Sequence, residues 1–344
     1  MLDVALKMIN TISDNGYEAY IVGGFVRDYL MGKKSNDVDI TTNAKPKELL
    51  DIFPTAVIDN ADYGSVTVYF KDIRFEITTY RVEENYSDNR HPDTIIYVNN
   101  LDEDLKRRDF TINTICIDKF GQVCDKLQGK EDIGKRLIKT VDDPFVSFAH
   151  DALRILRAIR FATTLDFELD FLVREAIKEN RYLLEELSFN RKKEELNKIF
   201  GSTNLIKGVT LIKDLELDSI LKLDKIDKVK KCSQVIGVWT ILEVDNIYPF
   251  TRNELKLMKD IRRALKENPL KVETLYEYDL YVCSVAAELL GISKKDIANV
   301  YSKMSIHKRG DIVIDTHDII DYLKIEEGPI ISELWDKLER AILN

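Results

Sequence analysis

Two carboxylates at i and i+2, Asp37 and Asp39, follow a Gly23-Gly24 pair within the stretch YIVGGFVRDYLMGKKSNDVDI. Residues two apart on a β-strand point to the same face, so these acids can hold metal ions between them. Gly23-Gly24 stands between the apolar run YIV and the helix-like FVRDYLM. A strand, a glycine turn and a helix start present backbone N–H groups and the positive end of a helix dipole to phosphate. Arg27, one turn in, can reach the same phosphates. The combination predicts a site for a metal-bound nucleoside triphosphate, with Mg2+ as the cofactor, and nucleotidyl transfer as its chemistry. Each part also has a plainer reading. Asp37 and Asp39 suit a turn after Ser35-Asn36, two glycines suit any tight turn, and Arg27 with Asp28 suits a surface ion pair.

A two-metal site needs a third acid, and the strand-like KDIRFEITTY offers Glu76. Ile73, Phe75 and Ile77 alternate onto an apolar face, which leaves Arg74, Glu76 and Thr78 on the other. One Mg2+ would then bridge the triphosphate, and the other would activate an attacking hydroxyl.

The elements that position these residues come in two blocks. Ala19 to Val22, Asp37 to Thr41, Ser65 to Phe70, Ile73 to Thr79, Thr94 to Val98 and Thr111 to Ile117 are β-branched or alternating, so strands are expected there. From about Pro144 helical periodicity takes over: Ser147 to Thr163, Asp170 to Leu187, Lys192 to Phe200, and further segments to Leu343. An α+β fold follows, with a mixed-sheet head over residues 1–143, a helical neck over 144–205 and a helical body and tail over 206–344.

At 344 residues the chain exceeds one typical core, and its 44% apolar and 32% charged residues suit an ordered protein. A net charge of −9 argues against indiscriminate nucleic-acid affinity, so RNA contact must come from local basic patches. Candidates are Arg154, Arg157 and Arg160, then Arg191 to Lys193, Lys228 to Lys231, and Arg262 with Arg263. Charge runs of this kind are also ordinary solvated helix faces. Cys116, Cys124, Cys232 and Cys283 lack the paired spacing of a zinc site or a disulfide framework, which fits a reducing cytoplasm. The N-terminal residues suit an amphipathic helix rather than a signal peptide, and no run approaches the roughly 18 apolar residues of a membrane span. No membrane association and no stable protein partner are expected.

GGFVRD, DVD, FEITTYR, LKRRDFTINT (Leu105 to Thr114) and HDALRILRAIRF (His150 to Phe161) resemble, in order and without gaps, the motifs of the class II tRNA nucleotidyltransferases, which include CCA-adding enzymes and bacterial poly(A) polymerases. The resemblance spans residues 17 to 165. It implies catalytic and metal-binding acids at Asp37, Asp39 and Glu76, a triphosphate contact at Arg108, and sugar-side positions at Asp109 and Asn113. It also implies tRNA, CTP and ATP as partners. FNRKKEELNKIF resembles the family's neck motif, with Arg191 and Glu195-Leu196 matching, Asn190 in place of the usual acid, and a helix-buttressing role.

Asp151 and Arg154, three apart on an expected helix with Arg157 continuing the row, form a pair that can judge a base. Adenine and cytosine present an amino donor beside a ring-nitrogen acceptor, whereas guanine and uracil present a carbonyl acceptor beside an N–H donor. A carboxylate only accepts and a guanidinium only donates, so the pair fits A and C. Each mismatch leaves buried polar groups unpaired at roughly 1–3 kcal/mol. The family reading agrees that this pair replaces a nucleic-acid template, with Arg157 and Arg160 adding positive charge toward the triphosphate. A salt-bridged surface pair is the plainer alternative. His150 stands where the family usually has glutamate, and His150-Asp151 and His317-Asp318 also suggest an HD-type phosphohydrolase; with only four histidines, the chain lacks the further ligands such a site needs.

The polar segment from Arg81 to Lys106, with Arg81, Glu84, Tyr86, Asp88 and Arg90, resembles the loop that lets the family move from C to A. The expectation is therefore addition of CCA, or its last nucleotides, to the 3′ end of tRNA. A-only addition and poly(A) synthesis use most of the same motifs. A catalytically silent RNA-binding protein and a small-molecule nucleotidyltransferase are the rivals from other classes.

Overall fold

The computed structural model describes residues 1–35, 37–60, 64–71, 73–84 and 94–343. The backbone divides into two compact units, one of residues 1–199 with 210–221, the other of residues 200–209 with 222–344.

The first unit begins with helix α1 (Leu2–Asp14), strand β1 (Ala19–Val22), helix α2 (Gly24–Leu30), strand β2 (Val38–Thr42) and helix α3 (Pro46–Ile52). Strands β3 (Val57–Asn60), β4 (Ser65–Phe70), β5 (Ile73–Thr79), β6 (Arg81–Glu84) and β7 (Thr94–Tyr97) follow, then helix α4 (Leu101–Lys106) and strands β8 (Cys116–Ile117) and β9 (Val123–Cys124). Seven strands form one mixed sheet in the order β3-β4-β5-β2-β1-β8-β9. β2 and β5 are parallel, and the other neighbours are antiparallel. β6 and β7 make a separate antiparallel pair.

Alternation decides what each face of the sheet carries. Ile21, Val38, Ile40, Phe75 and Ile77 are buried against Ala5, Met8, Ile9 and Ile12 of α1, Phe25 and Val26 of α2, and Leu49 of α3. The intervening Val22 packs on the opposite face with Leu101 and Leu105 of α4 and with Tyr80 and Cys116. Asp39 and Thr41 of β2 and Glu76 of β5 alternate with the helix-covered residues, so they belong to that second face.

Helix α5 (Gly129–Lys135) precedes the helices α6 (Pro144–His150), α7 (Leu153–Leu165), α8 (Phe171–Asn180) and α9 (Phe189–Phe200). Three segments differ from the expected elements. Thr111 to Ile117 is not one strand: a 3-10 turn occupies Thr111–Asn113, and only Cys116–Ile117 pairs in the sheet. The Asp109 carboxylate accepts from the Phe110 N–H at 2.8 Å and from the Asn113 amide at 3.0 Å, and the Thr114 hydroxyl donates to the Thr111 carbonyl at 2.7 Å. Such local bonds offer the backbone an alternative to the ladder. Ser147 to Thr163 is likewise not one helix. Asp151 has extended backbone angles (φ −137°, ψ 99°) between α6 and α7, and its carboxylate accepts from the Leu153 N–H at 2.9 Å, as an acid at a helix start does. Asp170 to Leu187 similarly resolves into α8 and a 3-10 turn over Arg181–Glu185.

Helix α10 (Leu205–Asp214) precedes the helices α11 (Val235–Leu242), α12 (Arg252–Glu267), α13 (Val272–Leu289), α14 (Lys294–Tyr301), α15 (Thr316–Leu323) and α16 (Pro329–Leu343) of the second unit. Its aromatic centre is the buried Trp239, with Phe200, Tyr248 and Phe250 at ring centroid distances of 5.1, 4.9 and 5.4 Å. Arg262, expected in a basic patch, donates instead to Asp245 at 2.7 Å and to the Thr240 carbonyl at 3.1 Å. Among the described residues no helix is long and apolar enough to cross a membrane.

Candidate active site

A cavity of about 670 Å3 in the first unit collects residues from α2, β2, β6, the segment after α4, α7 and α9. Twelve of the thirteen site residues expected from the sequence line it: Gly23, Gly24, Arg27, Asp37, Asp39, Arg108, Asp109, Asn113, Asp151, Arg154, Arg157 and Arg160. The exception is Glu76, which stands directly across from Asp39 in the β2–β5 register but does not contribute to the cavity wall. Its carboxylate lies 3.9 Å from the Arg74 guanidinium, and both side chains are well exposed.

Gly23 caps α2 with φ 80° and ψ −145°, a conformation nearly confined to glycine. A side chain there would also collide with Asp39, since a Cβ would lie 2.9 Å from Asp39 Oδ2. The glycine turn therefore lets backbone and carboxylate approach closely. Asp37 is exposed and immediately precedes β2, while Asp39 is partly enclosed within it. Burial, followed by the Asp37 charge, raises the Asp39 pKa to about 6, with Glu76 adding to the rise and Arg108 and Arg74 opposing it. Uncompensated negative charge of this kind suits a hard cation with oxygen ligands. Among the described residues no three carboxylate, imidazole or thiol groups gather tightly enough to enclose a metal by themselves. The donor set is thus an open carboxylate pair, which leaves room for phosphate oxygens as ligands.

Arg27 is buried and is no surface ion pair. Its Nε donates to Asp28 at 2.9 Å and its Nη1 to Asn113 Oδ1 at 2.7 Å. Asn113 in turn donates to Asp109, which also accepts from Arg157 Nε at 2.8 Å. Burial pushes the Asp109 carboxyl up, but the Arg157 charge and the hydrogen bonds from Asn113 and Arg157 outweigh it and hold the group well below the usual carboxylate range. A continuous hydrogen-bonded chain, Arg27-Asn113-Asp109-Arg157, therefore links two guanidinium groups and a carboxylate through a neutral amide.

Arg108 and Arg107 are anchored by Asp104, which is fully buried on α4. Asp104 accepts from Arg108 Nη2 at 3.1 Å, from Arg107 Nε at 2.8 Å and from the Thr41 hydroxyl at 2.9 Å. Arg108 Nε is buried with no hydrogen-bond partner among the described residues. A buried donor left over beside a cavity is the kind of group that an anionic ligand satisfies.

Asp151 and Arg154 do approach one another, with Arg154 Nε 4.0 Å from Asp151 Oδ2. They do so across the start of α7 and not along an uninterrupted helix. Arg154 is held by donation to Ser147 Oγ at 2.8 Å and to the Arg107 carbonyl at 2.7 Å. Arg160 donates to the buried Glu195 of the neck motif at 3.1 Å, and burial together with the Arg157 charge lowers its pKa to about 10. Arg81, Glu83, Arg107, Phe161 and Arg191 complete the lining; of these, Arg81 was expected only in the loop and Arg191 only in a basic patch and the neck motif. Arg107 and Arg108 stand three and four positions after Asp104, a spacing that does mark neighbours on one helical face. No comparable sequence signal marks Glu83, and Phe161 only closes the His150 to Phe161 motif, with no role of its own expected. Of the loop positions, Tyr86, Asp88, Arg90 and the Glu84 side chain lie outside the described residues.

The family models that match this chain are the poly A polymerase head domain over residues 19–139, the RNA and SrmB binding site of polymerase A over residues 166–222, and tRNA nucleotidyltransferase domain 2 over residues 225–344. A CCA-adding enzyme of Anoxybacillus flavithermus is 32% identical over 368 residues, covering 99% of this chain and 92% of that protein. A CCA-adding enzyme of Lactococcus lactis subsp. cremoris is 34% identical over 368 residues, covering 98% and 91%. The crystal structure of the Bacillus stearothermophilus CCA-adding enzyme in complex with CTP superposes with a TM-score of 0.88 at 28% identity, over 99% of this chain and 92% of that one. With a cavity that joins paired carboxylates, clustered arginines and the Asp151–Arg154 pair, and with relatives matching from end to end, the chain belongs to the CCA-adding enzyme family of tRNA nucleotidyltransferases.

Proposed function

We infer that this protein adds C and A nucleotides to the 3′ end of tRNA from CTP and ATP, releasing pyrophosphate. The observation that carries the reading is one cavity holding both Asp37 with Asp39 and the Asp151–Arg154 pair, the first suited to transfer chemistry and the second to base selection. Asp37 and Asp39 would hold the divalent cation, Mg2+ by the hardness of their oxygens, and that ion when bound supplies charge neutralisation on the triphosphate and acidifies the attacking hydroxyl. Glu76, across from Asp39 in the strand pair, would add negative charge favouring the same cation.

The chain's own residues do the rest. Arg108, whose buried Nε has no hydrogen-bond partner among the described residues, and Arg27, fixed through Asn113, offer fixed positive charge to phosphate oxygens. Arg157 and Arg160 add to that potential. Asp109 and Asn113 lie on the hydrogen-bonded chain between Arg27 and Arg157, where they suit orientation of the sugar. Asp151 accepts and Arg154 donates, so cytosine and adenine edges are satisfied and guanine and uracil edges are not. As the 3′-oxygen bonds to the α-phosphorus, the bond to the bridging oxygen breaks and pyrophosphate leaves. Positioning and preorganised charge account for most of the acceleration in such phosphoryl chemistry.

All four cysteines are free thiols, which supports a reducing, cytoplasmic setting. Incubation with tRNA transcripts ending at the discriminator base, at C or at CC, with CTP and ATP supplied separately, tests the reading. The expected ladder is C addition to the first two transcripts and A addition to the third. Addition of A alone to a CC end, with no C addition to the shorter transcripts, would overturn full CCA synthesis.

A further inference from the structure

Phe161 lines the cavity, yet the transfer chemistry assigns it nothing. Its ring is surrounded by guanidinium groups from two different elements. The Arg160 guanidinium carbon lies 4.2 Å from the ring centroid, that of Arg27 5.1 Å and that of Arg157 5.6 Å. The ring itself is braced edge-on by the buried Phe110, at a centroid distance of 5.7 Å and an interplanar angle of 81°. Three cations gathered this closely repel one another, and Arg157 and Arg27 both lower the proton affinity of Arg160. Each has an acidic partner, Arg157 with Asp109, Arg160 with Glu195 and Arg27 with Asp28, yet burial and the Arg157 charge still lower the Arg160 pKa despite Glu195 and Asp109. An aromatic face carries negative quadrupole charge and no full charge, so it attracts cations without neutralising them for an incoming anion.

Resting on the proposed nucleotide site, we propose that Phe161 is a positioning residue, a cation–π hub that holds Arg27, Arg157 and Arg160 together in a preorganised cradle for the polyphosphate of the incoming nucleotide. The role is independent of the base, because among the described residues the ring's cation–π and edge partners are Arg27, Arg157, Arg160 and Phe110, not the Asp151–Arg154 pair. CTP and ATP are therefore affected alike. A leucine fills a similar volume without a quadrupole, whereas tyrosine keeps it.

The test combines binding and turnover on the full-length protein. Equilibrium binding of inorganic tripolyphosphate is measured for wild type, Phe161→Leu, Phe161→Tyr and protein carrying a ring-fluorinated phenylalanine at position 161, whose shape is nearly unchanged but whose quadrupole is weakened. The expected result is roughly tenfold weaker tripolyphosphate binding for the leucine and fluorinated forms, and near wild-type binding for tyrosine. KM for CTP and for ATP should rise by the same factor, while the exclusion of GTP and UTP is unchanged. Fluorinated protein that binds tripolyphosphate as wild type does would overturn the proposal even if the leucine variant fails to fold. A change confined to one nucleotide would overturn it as well. Tripolyphosphate binding needs no turnover, so it judges Phe161 separately from the nucleotidyl-transfer reading, which fails on its own if wild type adds neither C nor A.

Discussion

Asp39 sits beside Asp37 and opposite Glu76, close under the backbone of Gly23, and burial together with the Asp37 charge raises its pKa to about 6. The sign of the linkage follows. A carboxyl whose folded-state pKa lies above its ordinary value of 3.8 is bound to its proton more tightly in the folded state, so its ionisation weakens the fold. That penalty is complete above about pH 6 and is relieved as pH falls from there toward the ordinary value. In the presence of a chelator, Asp39→Asn is therefore expected to melt above wild type at neutral pH, with the difference shrinking on acidification. Thermal denaturation across that range checks this, and a difference independent of pH would contradict it. Base selection is tested at Asp151 and Arg154. Replacing either by Ala should raise GTP and UTP incorporation relative to CTP and ATP by about tenfold or more, the equivalent of one lost buried polar match. Competition among the four nucleotides on one transcript reads this directly. The residue types at these positions were legible because their chemistry is unusual at that spacing. Glu83, Arg107 and Phe161 were not, and Arg81 and Arg191 stood out only through the loop and neck resemblances, since a paired charge or a lone aromatic looks the same in a cavity wall as on a solvated face.

The glycine turn couples β1, α2 and β2. Gly23 has φ 80°, and a Cβ there would press on the Asp39 carboxylate. Gly23→Ala should thus cost roughly 1–3 kcal/mol in stability and also displace Asp39, abolishing most transfer. Gly16 provides the comparison, because it has φ 91° but a Cβ would meet nothing within 4 Å. Gly16→Ala should lose stability and keep activity per folded molecule, a split that denaturation and turnover assays on both variants will show. Elements with strong alternation, such as Ser65–Phe70 and Ile73–Thr79, were readable to the residue. The turn at Thr111–Asn113 and the break at Asp151 were not. There, hydrogen bonds that the Asp109 and Asp151 carboxylates accept from nearby backbone N–H groups override the apolar period. The break matters for function, since it sets Asp151 at the start of α7 with a different backbone from Arg154 and brings the two side chains to 4.0 Å.

Across the whole molecule, a net charge of −9 coexists with a cavity lined by eight arginines and five carboxylates. Local positive potential in a negative chain favours a polyphosphate in the cavity while discouraging loose association with unrelated RNA. Binding to generic single-stranded RNA is accordingly expected to be weak at moderate salt where tRNA is retained, and filter binding over a salt series measures both. Equal retention of the two would contradict the charge argument. The proposed activity rests most heavily on acids that promote transfer and a protein surface that chooses the base. It is tested most directly by extending a tRNA transcript that ends at the discriminator base, with all four nucleotides present, using wild type beside a variant carrying Asp37→Ala and Asp39→Ala. Wild type should append C, C and A and then stop, and the variant should bind the transcript and add nothing. Incorporation of G and U as readily as C and A, or undiminished extension by the variant, would contradict it.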